Sequence, residues 1–394
     1  MMNSDHTPRP RRDAGQIIVI MVGGIIAMFA MVGLIVDGGN AFANQRLTQN
    51  GTDAAALAGA TTLAQNLSPK GWQPAKSDAD VTLAVAGAVS ANGLQGYTAY
   101  YTDVTGEMLR SSGSTTNQTF LAAQVGGGVI PVCMDTSACP GGHASGVRVL
   151  GNKTIGTFVA RIFGMSTIGV AADATARAGY VTKTCSGDGG CGVLPVTFPI
   201  TQVSCDGSGN AVQTTAAYEI GVHYKIPLCK NGPGNVGWLD WTPTAGGTSE
   251  LEASVASPNN PAIPLPSWQY MTGTGNINSQ GVEDAINAYA GQSGLILTFD
   301  STCDVQPTTA DLGACPPANV GGNGSNQYYH VPALSALKLD WPKAAYISGT
   351  NTECDTGNGA TSCIMGTFVN FVTQGVVAAG GTTITGAVGV QLIR

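Results

Sequence analysis

Residues 16–36, QIIVIMVGGIIAMFAMVGLIV, carry no charge, and the nearest charges on either side are Asp13 and Asp37. Twenty-one residues rising about 1.5 Å each make a helix of roughly 31 Å, enough to cross a bilayer's hydrocarbon. Everything after this run is placed by its orientation. Arg9, Arg11 and Arg12 precede it, whereas the far flank carries Asp37 and no Lys or Arg before Arg46. The positive-inside rule therefore predicts a cytoplasmic tail over residues 1–15, a single transmembrane helix over 16–36 and an extracytoplasmic remainder in the cell envelope. A cleaved signal peptide is the alternative, since Ala41-Phe42-Ala43 offers an A-x-A-like site. Its apolar region is usually about 7–15 residues, shorter than this one, which favours an uncleaved anchor. Both readings export the body.

The rest of the composition fits that compartment. Only 10% of the 394 residues are charged and 55 are glycine, against a usual charged share of about 25%. The net charge of −7 includes no basic block outside the short N-terminal one, which excludes electrostatic capture of nucleic acid. All ten cysteines lie beyond residue 130: Cys133, Cys139, Cys185, Cys191, Cys205, Cys229, Cys303, Cys315, Cys354 and Cys363. An even count outside the cytoplasm reads as disulfides, and the short Gly-rich intervals, such as CSGDGGC and CDTGNGATSC, suit nearest-neighbour clips. Zinc is disfavoured because C-x-x-C is absent and histidine is scarce.

Residues 37–66 continue as a helix whose stripe is small rather than bulky. Asp37, Leu47, Gly51, Ala54, Ala55, Ala58 and Gly59 form the candidate packing face, and small residues at three-and-four spacing admit another helix closely. The approaching helix can belong to a partner in the membrane plane or to this chain. Residues 77–93, SDADVTLAVAGAVSANG, supply one within the chain, with Ser77 or Asp78 as N-cap and Asn92-Gly93 as stop. From Tyr97 the period switches to that of strands, over YTAYYTDV, TFLAAQV, VIPVCMD and SGVRVLGNKTI. TFVARIFGM reads as a short helix with Phe158, Ile162 and Phe163 on one side, and STIGVAADATARAGYV as another strand.

The expected fold is α+β. A transmembrane helix continues into an alanine-rich helical hairpin with a small sheet, giving a membrane-proximal domain over residues 37–182. Residues 183–394 read as a β-rich, disulfide-clipped domain, an antiparallel barrel or sandwich, with one helix at residues 280–289. Its last strand is expected to close onto its first.

Asp37-Gly38-Gly39, Gln45-Arg46-Leu47-Thr48-Gln49-Asn50 and Asp53-Ala54-Ala55-Ala56-Leu57-Ala58-Gly59-Ala60, directly after an Arg-flanked anchor, resemble the N-terminal segment of TadE/TadG-like proteins of tight-adherence (Flp) pilus assembly. Arg161-Ile162-Phe163-Gly164 followed by residues 171–178 resembles the membrane-proximal region of TadG-like members. Trp238 with its neighbours, and residues 363–369, resemble the outer portions of some of them. Pilin-type members processed by a prepilin peptidase carry Glu where this chain has Ile20, so processing like a pilin is not expected. The metal-binding D-x-S-x-S of members with a von Willebrand A domain is absent. The resemblance implies a non-enzymatic envelope protein of pilus assembly or anchoring. Its implied partners are the membrane and other Tad or pseudopilin components, with self-association as an option.

Chemistry is sparse. His6 falls on the cytoplasmic side, while His143, His223 and His330 lack the spacing of a metal or nucleophile motif. The G-x-G-x-x-G of residues 187–192 overlaps an expected disulfide clip and has no helix to receive a phosphate. Asp300 with Asp304, and Glu353 with Asp355, read as solvated turns in preference to calcium loops. No cofactor is expected. The rival class is a membrane-tethered enzyme or glycan-binding module, with Trp238, Trp241 and Trp268 as an exposed aromatic platform instead of core.

Overall fold

The structure is a computed structural model and describes residues 14–67, 76–110, 122–133, 139, 142–184, 192–206, 208, 211–228, 237–239, 248–258, 260–270, 280–305, 307, 315, 328–346, 362–373, 376–378 and 387–393. The arginine cluster at residues 9–12 lies outside them.

Helix α1 (Ala14–Ala64) runs unbroken through the apolar segment and the polar one that follows. No proline lies between Pro10 and Pro69, so nothing interrupts its hydrogen-bond ladder even at Gly38-Gly39. Its first part is bare, with almost every side chain from Ile17 to Val36 exposed, and it is long and apolar enough to cross a membrane. From Gly33 onward one face turns inward, at Gly33, Asp37, Thr48, Gly51, Ala55, Gly59 and Leu63. Spacings of three, four and eleven keep those positions on one side of a helix.

Helix α2 (Asp78–Ala91) folds back antiparallel along that face. Ser77 caps it, with the reciprocal Ser77–Asp80 pair of a capping box, and Asn92 ends it. A Cβ added to Gly51 would come within 2.9 Å of Asn92 Cβ, and one added to Gly59 within 2.9 Å of Val85 Cγ2. The two glycines thus admit the close approach of α2.

Strands β1 (Gly96–Thr102), β2 (Gly146–Gly156) and β3 (Thr167–Lys183) follow, and β2 and β3 form a long antiparallel hairpin against α1. Val147 meets Gly59 and Val159 meets Gly33. The hairpin therefore runs toward the bare end of α1. About 26 helical residues at 1.5 Å and about 12 strand residues at 3.3 Å both span roughly 40 Å, so the two elements stay in step. The segment expected as a short helix is a 3₁₀ turn (Ala160–Phe163) at the hairpin's tip, where Phe158, Ile162 and Phe163 are exposed instead of packed. A 3₁₀ turn of four residues gives no second turn on which to build a buried stripe.

The second half of the chain contributes β4 (Val193–Pro199), β5 (Thr201–Cys205), β6 (Ala211–Ala217), β7 (His223–Pro227), β8 (Gly237–Trp238), α3 (Thr248–Ala256), β9 (Ser267–Tyr270), α4 (Gln280–Asn287), β10 (Ser293–Phe299), β11 (Ser301–Cys303), β12 (Tyr328–Val331), β13 (Ala333–Leu339), β14 (Ala345–Tyr346) and β15 (Cys363–Phe368). In place of an antiparallel barrel or sandwich, the described residues form a mixed open sheet in the order β14-β15-β13-β10-β4-β8, with β7 also on β15 and β4 parallel to β10. The reason lies in its central strands. In β10, Ile296 faces a core shared with Leu251 and Val255 of α3 and Val282 and Ile286 of α4, while Leu295 and Leu297 face a second core with Ile263, Leu265 and Val331. Apolar residues on both faces require cover on both sides. Helix α4 lies at the expected site, and α3 was not anticipated.

The chain then returns. Strands β16 (Phe371–Thr373), β17 (Val376–Ala378) and β18 (Ala387–Ile393) join the membrane-proximal sheet, with β18 antiparallel to β3 from Val388↔Tyr180 to Ile393↔Thr175. The expectation that the last strand closes onto the second domain is thereby corrected. Val388 and Val390 are buried in the same core as Ala176, Ala178 and Val147, which draws the strand to β3. Two expected nearest-neighbour disulfides are present, Cys133–Cys139 and Cys303–Cys315. Cys205 and Cys363 are also disulfide-bonded. Cys185, Cys191, Cys229 and Cys354 lie outside the described residues.

Candidate functional site

The best-built polar site lies where α1 leaves its apolar segment. Asp37 is buried there, and its carboxylate accepts three successive amides from the hairpin tip: Phe158 N–H at 2.6 Å, Val159 N–H at 3.1 Å and Ala160 N–H at 2.6 Å. These are the open donors at the start of the 3₁₀ turn, whose own N-cap, Val159, has no side chain to satisfy them. A carboxylate from another element takes the cap's place. The amides of Phe158 and then Ala160 hold the Asp37 carboxyl below the usual carboxylate range, against the opposing effect of burial. The turn closes at Gly164, whose left-handed φ of 89° suits glycine, while Thr157 Oγ1 donates to the Met165 carbonyl.

Farther from the membrane end, α1 is fixed by polar side chains laid along β3. Gln45 Nε2 donates to the Ala171 carbonyl at 2.8 Å and Gln49 Nε2 to that of Asp173 at 3.2 Å. At the far end of α2, Asp78 is buried and accepts the Tyr101 hydroxyl at 2.5 Å and the amides of Gly126 at 3.0 Å and Gly128 at 2.7 Å. Burial, and then donation to Asp78, raise the Tyr101 phenol's pKa.

The sequence-predicted packing face divides in this geometry. Asp37, Gly51, Ala55 and Gly59 face into the chain's own fold, against the hairpin tip, α2 and β2. Leu47 points outward, and Ala54 and Ala58 are half-buried. The last three, at spacings of seven and four, form one stripe. Asp37 stood out in the sequence as the first charge after the apolar run and as a member of the packing face; its amide partners, more than 120 residues on, had no sequence signal.

Two of the histidines, His330 and His223, pair with carboxylates. His330 Nδ1 lies 2.6 Å from Asp300 and its ring 5.1 Å from that of Trp268, while His223 Nε2 lies 2.7 Å from Asp340. Asp300 is thus engaged by a histidine. Asp340, Lys338 and Trp341 line a depression of about 360 Å³ together with Gly291 and Thr367. Trp341 is exposed, and nothing in the sequence pattern singled it out. Trp241, Glu353 and Asp355 lie outside the described residues.

No curated protein and no solved structure matches the chain. A family model does, and it falls on α1: residues 15–62 match the family described as "Putative Flp pilus-assembly TadE/G-like", the same anchor-and-helix segment whose motifs carry the resemblance.

Proposed function

We propose that this protein is a non-enzymatic, single-pass envelope protein that acts in the assembly or anchoring of a tight-adherence (Flp-type) pilus, with its N-terminus cytoplasmic and its body outside. The observation that supports this most is the continuity of α1. A bare apolar half and a tightly packed half form one helix, and the TadE/G-like match covers both. A rigid helix of that kind holds the body at a defined height and rotation over the membrane, as a scaffold needs. We assign its stripe of exposed Leu47 and half-buried Ala54 and Ala58 to contact with sister or pseudopilin helices.

The test is genetic and biochemical. A strain lacking the gene is expected to lose assembled pili and surface adherence, with restoration by the native chain. Crosslinking and recovery from membranes should retrieve Tad-type components with the native protein and several-fold less with Leu47→Glu. Normal pili and adherence in the deletion strain would refute the reading.

A second reading has one observation in its favour, the exposed Trp341 beside Asp340 and Lys338. An aromatic face flanked by charge suits a sugar ring. Binding of the full-length protein to a glycan array, lost in Trp341→Ala, would support an outer-domain glycan-binding role.

A further inference from the structure

The tip of the β2–β3 hairpin carries four large apolar side chains that the fold leaves uncovered. Phe158, Ile162, Phe163 and Met165 are 67, 76, 54 and 61% exposed. Single exposed apolar residues are ordinary on a protein surface, but four on one short connection form a patch that needs an occupant.

Their position relative to α1 identifies it. Val159 sits against Gly33, where an added Cβ would lie 2.8 Å from Val159 Cγ1. The Asp37 carboxylate holds the neighbouring amides of Phe158, Val159 and Ala160. Gly33 belongs to the apolar run and precedes Asp37 by four residues, about 6 Å along the helix. A crossing of about 30 Å that begins near Ile17 reaches the far boundary near Val36. The Val159 contact therefore falls within the outermost ~5 Å of hydrocarbon. Side chains held at that depth meet acyl chains and headgroups. Arg161, exposed among them, can run its aliphatic stem through the apolar layer and place its guanidinium at the lipid phosphates.

We propose that residues 157–166 form a second, monotopic contact with the lipid bilayer, dipping into its outer boundary beside α1. The proposal rests on α1 being the membrane anchor. With two contacts, the body cannot turn freely about the anchor, and Asp37 sets the rotation by fixing the tip to one face of the helix.

The test uses the full-length protein in vesicles of phosphatidylethanolamine and phosphatidylglycerol, with photoactivatable benzoylphenylalanine replacing one residue at a time. Ile25 reports the middle of the span, Phe163 and Met165 the tip, and Leu83, an exposed side chain of α2, the solvent. Products are identified by mass spectrometry. Lipid adducts at both tip positions are expected at yields within about threefold of Ile25 and roughly tenfold above Leu83. Tip yields no higher than at Leu83, or adducts joining two copies of the protein in place of lipid, would overturn the proposal. Adducts at Ile25 without adducts at the tip would leave the anchor standing, whereas their absence at Ile25 would remove the anchor and the tip contact together.

Discussion

Two buried carboxylates show how single residues position distant chain. Asp37 takes the open amides of the hairpin tip, so Asp37→Asn, which removes the charge and half the acceptor capacity, should release it. Hydrogen exchange at the Phe158 and Ala160 amides is expected to accelerate by roughly tenfold or more in that variant. The pH dependence has a fixed sign. The folded carboxyl titrates below its ordinary value of about 3.9, so its contribution is complete above that pH. It is lost as pH falls through the lower folded value, and protection of these amides should fall only in that acid window. Asp78 gathers a hydroxyl and two amides, and Tyr101→Phe should lower thermal stability by about 1.5–3 kcal/mol, the value of a hydrogen bond to a charged group. Neither role was legible in the sequence. Both carboxylates sit at visible landmarks, a membrane exit and a helix start, but their partners are backbone groups brought close by folding, and backbone amides leave no trace in residue type.

At the scale of elements, periodicity carried the reading where an element answers to its own residues. The apolar run gave α1, the Ser77–Asp80 box and Asn92-Gly93 gave α2, and alternation gave β1, β2 and β3 within a residue or two. What the small-residue stripe left open was the identity of the approaching surface. Gly51 and Gly59 meet Asn92, Leu94, Val85 and Val147 of the same chain, so Gly51→Leu or Gly59→Leu should destabilise the module by about 1–3 kcal/mol through overpacking. Gly38 and Gly39 meet nothing within 4 Å. Gly38→Ala and Gly39→Ala should be tolerated or add up to about 1 kcal/mol each by improving helix propensity, as thermal unfolding of the detergent-solubilised chain would read. A stable Gly38→Ala protein that no longer supports pili would place a partner against that surface. Helix α3 escaped notice because nine residues with Leu251 and Val255 as their buried pair make a weak pattern. The parallel β4–β10 pair escaped because a short apolar run signals burial without giving strand direction.

For the whole molecule, the chain's order along the sequence is not its order in space. Strand β18 sits beside β3 although about 200 residues separate them, and its burial of Val388 and Val390 completes the core under α1. No local pattern announces such a return, since an alternating strand suits any sheet edge with an apolar face. Deleting residues 387–394 should therefore open the membrane-proximal module, not the disulfide-clipped one, and make β3 an early site of limited proteolysis. Under the proposed function, one helix anchors a body lying wholly on the outer side of the membrane. Protease treatment of intact spheroplasts carrying an N-terminally tagged chain tests it directly. The body should be digested while a short tagged fragment, ending beyond the apolar run, survives until the membrane is lysed. A body protected in intact spheroplasts and cut only after lysis would contradict it.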